Sequence, residues 1–431
     1  MTASKLHEST DFPPVILAEG RFSVYVRLMP HGWEYADALT TGPVKGRGAG
    51  LNPGNRFEDV RLHVLGEHLD EIRLERENQT ADGSAPGGEA GPGEAISLAT
   101  RVYHDRSRTV LNHVESPDIG FSWTVNPYRG CEHGCIYCYA RPGHEYLGWS
   151  CGVDFETRIL AKVDAPDLLR EALLKPSWKG EPIVVSGVTD PYQPVERRLR
   201  ITRRVLEVCR DLAQPVSLIT KNALVARDVD LLADLARHQA ASAAISVTTL
   251  DNELASRMEP RASAPSARLS AIRTLAQAGV PVSVMVAPII PSINDHEIAP
   301  ILEAAAEAGA RNAGYVMLRL PHQNKDLFLD WLRRHFPDRA ARVESQVRAM
   351  HGGELYDARW FKRQRGEGPL AQQIERAFEV FKKRAGFSRP APLVGQHGPG
   401  SDRADRDAGR NEEFLRRKRD RERRGQGLLF P

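Results

Sequence analysis

The sequence predicts an α/β protein, a partial or complete (β/α) barrel with an N-terminal extension before it and a disordered basic tail after it. Three observations carry this. From about Ser122, short β-branched runs alternate with amphipathic stretches of helical period. Six such units follow one another, which implies a parallel sheet with helices outside it. Gly279 and Gly309 each follow a helical run, where a C-terminal cap places glycine.

Residues 1–77 form the extension. Phe22 to Arg27 alternates apolar and polar residues as a strand does, and Lys45 to Phe57, rich in glycine with little to bury, is expected as an exposed loop. Residues 78–100 are expected as a flexible linker, with Gly83, Pro86, Gly87, Gly88, Gly91, Pro92 and Gly93 breaking any regular structure. The barrel core is assigned to residues 101–338. Its strands are expected at Trp123–Val125, Pro182–Ser186, Pro215–Thr220, Ala244–Thr248, Val280–Val286 and Gly314–Leu318. The helices lie between and after them, where apolar residues recur three or four apart, as in Leu231, Leu232, Leu235 and in Leu269, Ile272, Leu275. Residues 339–386 continue helical beyond Gly352 and Gly353. Residues 387–431 are expected to be disordered and carry the run Arg416-Arg417-Lys418-Arg419-Asp420-Arg421-Glu422-Arg423-Arg424.

Composition narrows the class. Of 431 residues, 41% are hydrophobic and 27% charged, which suits a soluble globular chain. No stretch reaches the roughly 18 apolar residues of a membrane helix, and the N-terminus lacks a signal-like run, so a cytoplasmic protein is expected. The net charge of +3 is too small to argue for nucleic acid by itself. Five unevenly placed cysteines do not make a disulfide framework, but three of them fall within eight positions.

Those eight positions, Cys131-Glu132-His133-Gly134-Cys135-Ile136-Tyr137-Cys138, spell C-x3-C-x2-C on a loop after the first strand. Soft thiolates on a short loop can wrap one corner of an iron–sulfur cubane, and Gly130 and Gly134 supply the tight backbone. Three thiolates leave one iron open for a small chelating ligand. A structural zinc, completed by His133 or Cys151, is the bland alternative.

With its aromatic residue before the last cysteine, at the mouth of a βα barrel, the motif resembles the radical S-adenosylmethionine (SAM) superfamily. That resemblance implies a [4Fe–4S] cluster on Cys131, Cys135 and Cys138, with SAM chelating the open iron through its amino and carboxylate groups. It implies reductive cleavage of SAM to a 5′-deoxyadenosyl radical, and an external electron donor of the flavodoxin or ferredoxin type. The segment Ser186 to Glu196 (SGVTDPYQPVE) follows the second strand, and the resemblance places Thr189 and Asp190 against the SAM amino group. Asp190-Pro191 otherwise reads as a helix cap. Lys221 either pairs with the SAM carboxylate or reaches solvent, and Ser246 and Thr248 carry hydroxyls suited to ribose.

The set T-D-P-Y-Q-P-x-E, T-K, S-x-T-T-L-D and Glu259-Pro260-Arg261, over about residues 120 to 335, is similar to the spore photoproduct lyase-like branch. The branch implies action on DNA or RNA of the photolyase-like repair kind, with RNA modification as the neighbouring reading. Photoproduct lyases also use a cysteine just after the second strand. Val185 to Asp190 holds none, so photoproduct repair itself is not implied. Cys151, in the cluster's own loop, and Tyr139 are the catalytic candidates, while Cys209 sits in a helical run and reads as a core thiol. Tyr137, Tyr139 and Tyr146 are expected to shield the cluster, stack on adenine or relay a radical. His133 and His144 are expected at the surface or supporting the site. Finally, Gln426-Gly427-Leu428-Leu429-Phe430 resembles the peptide by which bacterial proteins dock on the DNA polymerase sliding clamp. A binding module recruited there without turnover is the competing class.

Overall fold

A computed structural model describes residues 44–57, 98–387 and 411–423, together with the strands Val15–Leu17, Val24–Leu28 and Val60–His63, which pair antiparallel as a small separate sheet. The expected linker up to residue 97 and the terminal peptide Gln426–Phe430 lie outside the described residues.

The core is a seven-stranded sheet. Its strands are β1 (Leu111–His113), β2 (Trp123–Val125), β3 (Ile183–Val185), β4 (Val216–Thr220), β5 (Ala241–Ser246), β6 (Val282–Ile289) and β7 (Asn312–Met317). They lie in sequence order, and only the edge strand β1 runs antiparallel. The six parallel strands are those the sequence predicts, with ends moved by a few residues. Strands β3 and β5 are buried at every position. That is why they read as continuous apolar or small-residue runs rather than alternating ones.

Helices α1 (Ala165–Leu174), α2 (Ile201–Leu212), α3 (Val229–Ala236), α4 (Pro265–Gln277) and α5 (Ile298–Glu307) make the crossovers. Because each new strand is added at the same edge, there is no point where strand order reverses, and the crossovers are not divided between two halves of the sheet. One sheet surface is left lined with small polar groups, where Ser242 Oγ donates to Ser217 Oγ at 3.1 Å. Among the described residues β1 and β7 do not pair with each other, so the sheet is open and the partial form of the barrel is the one observed. Gly279 (φ 82°) and Gly309 (φ 98°) terminate α4 and α5 as expected. Cys209 is fully buried on the apolar face of α2, and burial pushes its thiol up to about 12, as suits a core residue.

After β7 come α6 (Asn324–His335), α7 (Pro337–Met350) and α8 (Gly368–Arg384), the last packing Phe378 on Tyr315 of β7 at 4.6 Å. The basic tail differs from expectation over one stretch: Glu412–Arg423 is a helix, α9, docked on the body. Phe414 is buried against Gly180, Lys418 Nζ donates to the carbonyls of Lys175, Pro176 and Trp178, and Arg417 donates to those of Arg210 and Asp211. The cations thus meet carbonyls just beyond α1 and at the end of α2, a favourable place for positive charge. A run of arginine and lysine reads as solvated because those carbonyl partners lie over 200 residues away. No helix among the described residues is long and apolar enough to cross a membrane.

Candidate active site

The cysteine loop leaves the carboxyl end of β2 through a two-residue strand, Tyr128–Arg129, which pairs antiparallel with Arg158–Ala161. It then turns at Gly130 (φ 77°) and Gly134 (φ 66°), backbone that side chains rarely adopt. The loop is pinned from several sides. Cys131 N donates to Phe155 O at 2.9 Å, Ile136 N to Met258 O at 3.0 Å, and Asn324 Nδ2 to Cys138 O at 2.7 Å. Cys131 and Cys135 are buried and Cys138 is half-buried. Burial raises the Cys131 thiol well above its ordinary value, and Asp190, Cys135 and Cys138 raise it further.

In a cubane each thiolate takes a different iron, so the three sulfurs need not converge on one ion, and among the described residues no three Cys, His, Asp or Glu side chains do. The donor set fits the cluster. His133 is not spare as a fourth ligand: it is buried, with Nε2 3.0 Å from Asn222 Nδ2 and Nδ1 3.3 Å from Asp190 Oδ2. Cys151 is equally occupied, its Sγ donating to Gln323 Oε1 at 3.0 Å.

The five residues expected to meet SAM all lie at the carboxyl ends of β3, β4 and β5, beside this loop. Thr189 Oγ1 donates to Gly130 O at 2.6 Å and so ties the segment after β3 to the first turn of the cysteine loop. Asp190 accepts from Tyr192 N (2.8 Å), Thr220 Oγ1 (2.7 Å) and Lys221 N (2.8 Å) besides facing His133. Burial alone would raise its carboxyl, but His133, Thr220 and Lys221 together bring it down to about 2. Those partners use the acceptor positions a carboxylate offers, so in this state Asp190 braces the backbone that carries Lys221. Lys221 Nζ has no carboxylate partner among the described residues. It lies 5.7 Å from the Tyr137 ring centroid, and burial lowers its pKa against the opposing pull of Cys135. Ser246 is buried at the end of β5. Thr248 Oγ1 donates to Glu259 Oε1 at 2.6 Å, and Glu259 also takes the Tyr137 hydroxyl and the Arg268 guanidinium. This network fixes Tyr137 under the loop.

The aromatic residues divide. Tyr137 is buried, Tyr139 is 46% exposed and Tyr146 is 73% exposed. Of the three, Tyr137 is the one buried within the cysteine loop. His144 is not a surface residue: it is buried against Trp149 and Phe155, and burial brings its pKa down to about 3. Cys151 is buried, and burial pushes its thiol up to about 12, so it stays protonated.

The stretch Lys45 to Phe57 is not an exposed loop. Val44, Arg47, Ala49 and Asn55 are buried, and the chain lies directly on the cysteine loop. A Cβ on Gly48 would sit 1.9 Å from Gly134 O. Glu156 organises the contact, accepting from Gly48 N (3.0 Å), Ala49 N (2.9 Å) and Arg141 Nη2 (2.5 Å), while Arg141 Nε donates to Cys135 O at 3.0 Å. Sequence reasoning missed Arg47, Gly48, Arg141, Glu156 and Asn324. Their only signal was the glycine spacing of residues 46–50, which serves close approach of backbones rather than exposure.

The matched portion, residues 125–305, fits the family model described as the radical SAM superfamily. An uncharacterized protein of Mycobacterium tuberculosis is 35% identical over 244 residues, which span 56% of this chain and 72% of that one. The radical SAM Nalpha-GlyT isomerase of Pseudomonas phage M6 is 25% identical over 210 residues, 48% of this chain and 42% of that one. Among solved structures, spore photoproduct lyase complexed with dinucleoside spore photoproduct aligns at 13% identity with a TM-score of 0.47, covering 74% of this chain and 92% of that chain. The chain belongs to the radical SAM superfamily of enzymes, which use a [4Fe–4S] cluster and S-adenosylmethionine.

Proposed function

We propose that Cys131, Cys135 and Cys138 hold the cluster and that the carboxyl ends of β3 to β5 bind SAM beside it. The observation that carries this reading is the pairing of three thiols on one glycine-turned loop with an ammonium, Lys221 Nζ, that lies over the Tyr137 ring of that loop and has no carboxylate partner among the described residues. When bound, the cluster supplies the electron that breaks a carbon–sulfur bond of SAM, giving methionine and a 5′-deoxyadenosyl radical.

The chain's own residues then have separable tasks. Lys221 offers its charge to the SAM carboxylate, held in place by Asp190 through its backbone N–H. Thr189 and Asp190 keep the segment after β3 against the loop, so that its backbone borders the amino group. Ser246 and Thr248 face the ribose, Thr248 being oriented by Glu259. Tyr137 and the 44–57 stretch keep water off the sulfurs.

The finer reading is that the substrate is DNA or RNA. It is supported by Arg197, Arg198 and Arg200, which are exposed just before α2 on the same side as the mouth. An external flavodoxin- or ferredoxin-type donor supplies the electron. The peptide Gln426–Phe430 is assigned to docking on the bacterial DNA polymerase sliding clamp. The test is anaerobic reconstitution with SAM and dithionite. We expect 5′-deoxyadenosine from the wild type and none from Cys135→Ala. Adenosyl product surviving that change, or a colourless zinc protein, overturns the reading.

A further inference from the structure

Tyr139 follows the last cluster cysteine and crosses the mouth. Its hydroxyl donates to Gly187 O at 2.6 Å, beyond β3, while its ring lies 4.7 Å from the Arg319 guanidinium carbon, beyond β7. Those strands are four places apart in the sheet, so the pair meets only because the sheet curls. The ring is nearly half exposed, and exposed Val188 adjoins it. Arg319 makes no hydrogen bond or ion pair with any described residue, and its Nε is buried without a partner. The contrast with Arg363 is sharp: near enough to Tyr139 to interact with it electrostatically, Arg363 is fully engaged by Asp118 at 2.6 and 2.5 Å. An unpaired fork stacked on an exposed ring, next to the reactive centre, wants an anion and a flat group together.

We propose that Tyr139 and Arg319 form the substrate subsite, and that it takes a single-stranded stretch of nucleic acid, phosphate on Arg319 and base on Tyr139. This rests on the nucleic-acid reading above and names its contact residues. A guanidinium fork matches phosphate oxygens bidentately, and base–aromatic stacking tolerates any base. Trp360 and Phe361, both exposed, extend the aromatic surface, and Phe361 is held at φ 66° with its N–H on Asp118 Oδ2 at 3.3 Å. A left-handed aromatic residue is strained backbone, which concentrates at functional rims.

The test titrates anaerobically reconstituted full-length protein with a fluorescein-labelled oligodeoxythymidylate of about 20 nucleotides, longer than one binding footprint. Anisotropy is read at several salt concentrations. We expect Arg319→Ala to weaken binding about tenfold and to reduce the salt slope by about 0.7, the loss of one phosphate contact on a single strand. Tyr139→Leu should weaken it about tenfold through lost stacking, and Tyr139→Phe should restore most of that. Arg342→Ala, at an exposed arginine of α7, is the control for charge alone and should bind as the wild type does. Iron content reports that each variant is folded. Wild-type affinity and slope in both Arg319→Ala and Tyr139→Leu overturn the subsite. So does a polyglutamate peptide that binds with the same dependence on Arg319, which assigns the site to acidic protein. Should the wild type make 5′-deoxyadenosine yet bind no oligonucleotide, the substrate class and the subsite fall while the radical chemistry stands.

Discussion

Two glycine-bearing loops meet at the centre of this protein, and they differ in what their glycines serve. In the cysteine loop, Gly130 and Gly134 permit left-handed turns that bring three thiols together. In the 44–57 stretch, Gly48 is there because another backbone occupies the space of its side chain: Gly134 O lies 1.9 Å from where a Cβ would be. The first loop holds the proposed cluster ligands and the second lies directly on it. A buried carboxylate, Glu156, holds the two together. The difference teaches that a loop without cysteines can be as closely built into a proposed cofactor site as the loop that carries them.

The largest effect expected from breaking this arrangement is that of Gly48→Ala. One methyl group forces the 44–57 stretch off the cysteine loop, because a backbone oxygen cannot yield as a side chain can. We expect iron incorporation to fall severely and stability to drop on the order of 4 kcal/mol, the range of overpacked core changes and beyond. Iron per chain after anaerobic reconstitution, with thermal unfolding alongside, checks it. Normal iron content and an unchanged melting curve would mean the two loops do not press on each other.

Glu156→Ala comes next. It leaves Arg141 buried without its carboxylate and frees two backbone N–H groups, so a loss of about 3 kcal/mol is expected. Glu156→Gln keeps the shape and acceptors of one oxygen and should cost less. Denaturant unfolding of the pair separates charge from shape. Equal losses would show that shape, and not the Arg141 pairing, is what Glu156 supplies.

How far these loops differ in legibility follows from the range of their forces. Cysteine spacing and glycine stops are local, so the one loop that carries Cys131, Cys135 and Cys138 and the ends of α4 and α5 could be read directly. Lys221 and Thr248 were placed correctly at strand ends because strand periodicity is also local. The bracing role of Asp190 was not legible, since it depends on Thr220 and Lys221 arriving from the next strand. Nor was the 44–57 stretch, whose partners Glu156 and Gly134 lie about 100 residues on, and whose low hydrophobicity mimics exposure. The basic tail failed for a related reason. One aromatic anchor, Phe414, and a set of carbonyl ends turn polar sequence into docked helix α9.

That helix offers a way to sharpen the comparison from outside it. Phe414→Ala should cost about 3 kcal/mol, as burial of a large side chain against Gly180 is lost. Because α9 sits on the face away from the mouth, iron content should stay at the wild-type level while the melting temperature falls. Loss of iron in this variant would show that the two faces are coupled and that stability alone, not contact with the cysteine loop, governs cluster retention.

The smallest effect belongs to Gly46→Ala, and it is the most discriminating. Gly46 lies two residues before Gly48 in the same stretch, adopts φ 68° and has nothing within 4 Å of an added Cβ. Alanine there strains the backbone by about 1 kcal/mol and touches nothing. The same methyl group at Gly48 meets a carbonyl oxygen of the cysteine loop. If closure over the cluster is a matter of backbone approach, Gly46→Ala should shift melting slightly and leave iron content alone, while Gly48→Ala removes the iron. Parallel behaviour of the two would mean that flexibility of the stretch, and not its close packing on Gly134, is what its glycines provide.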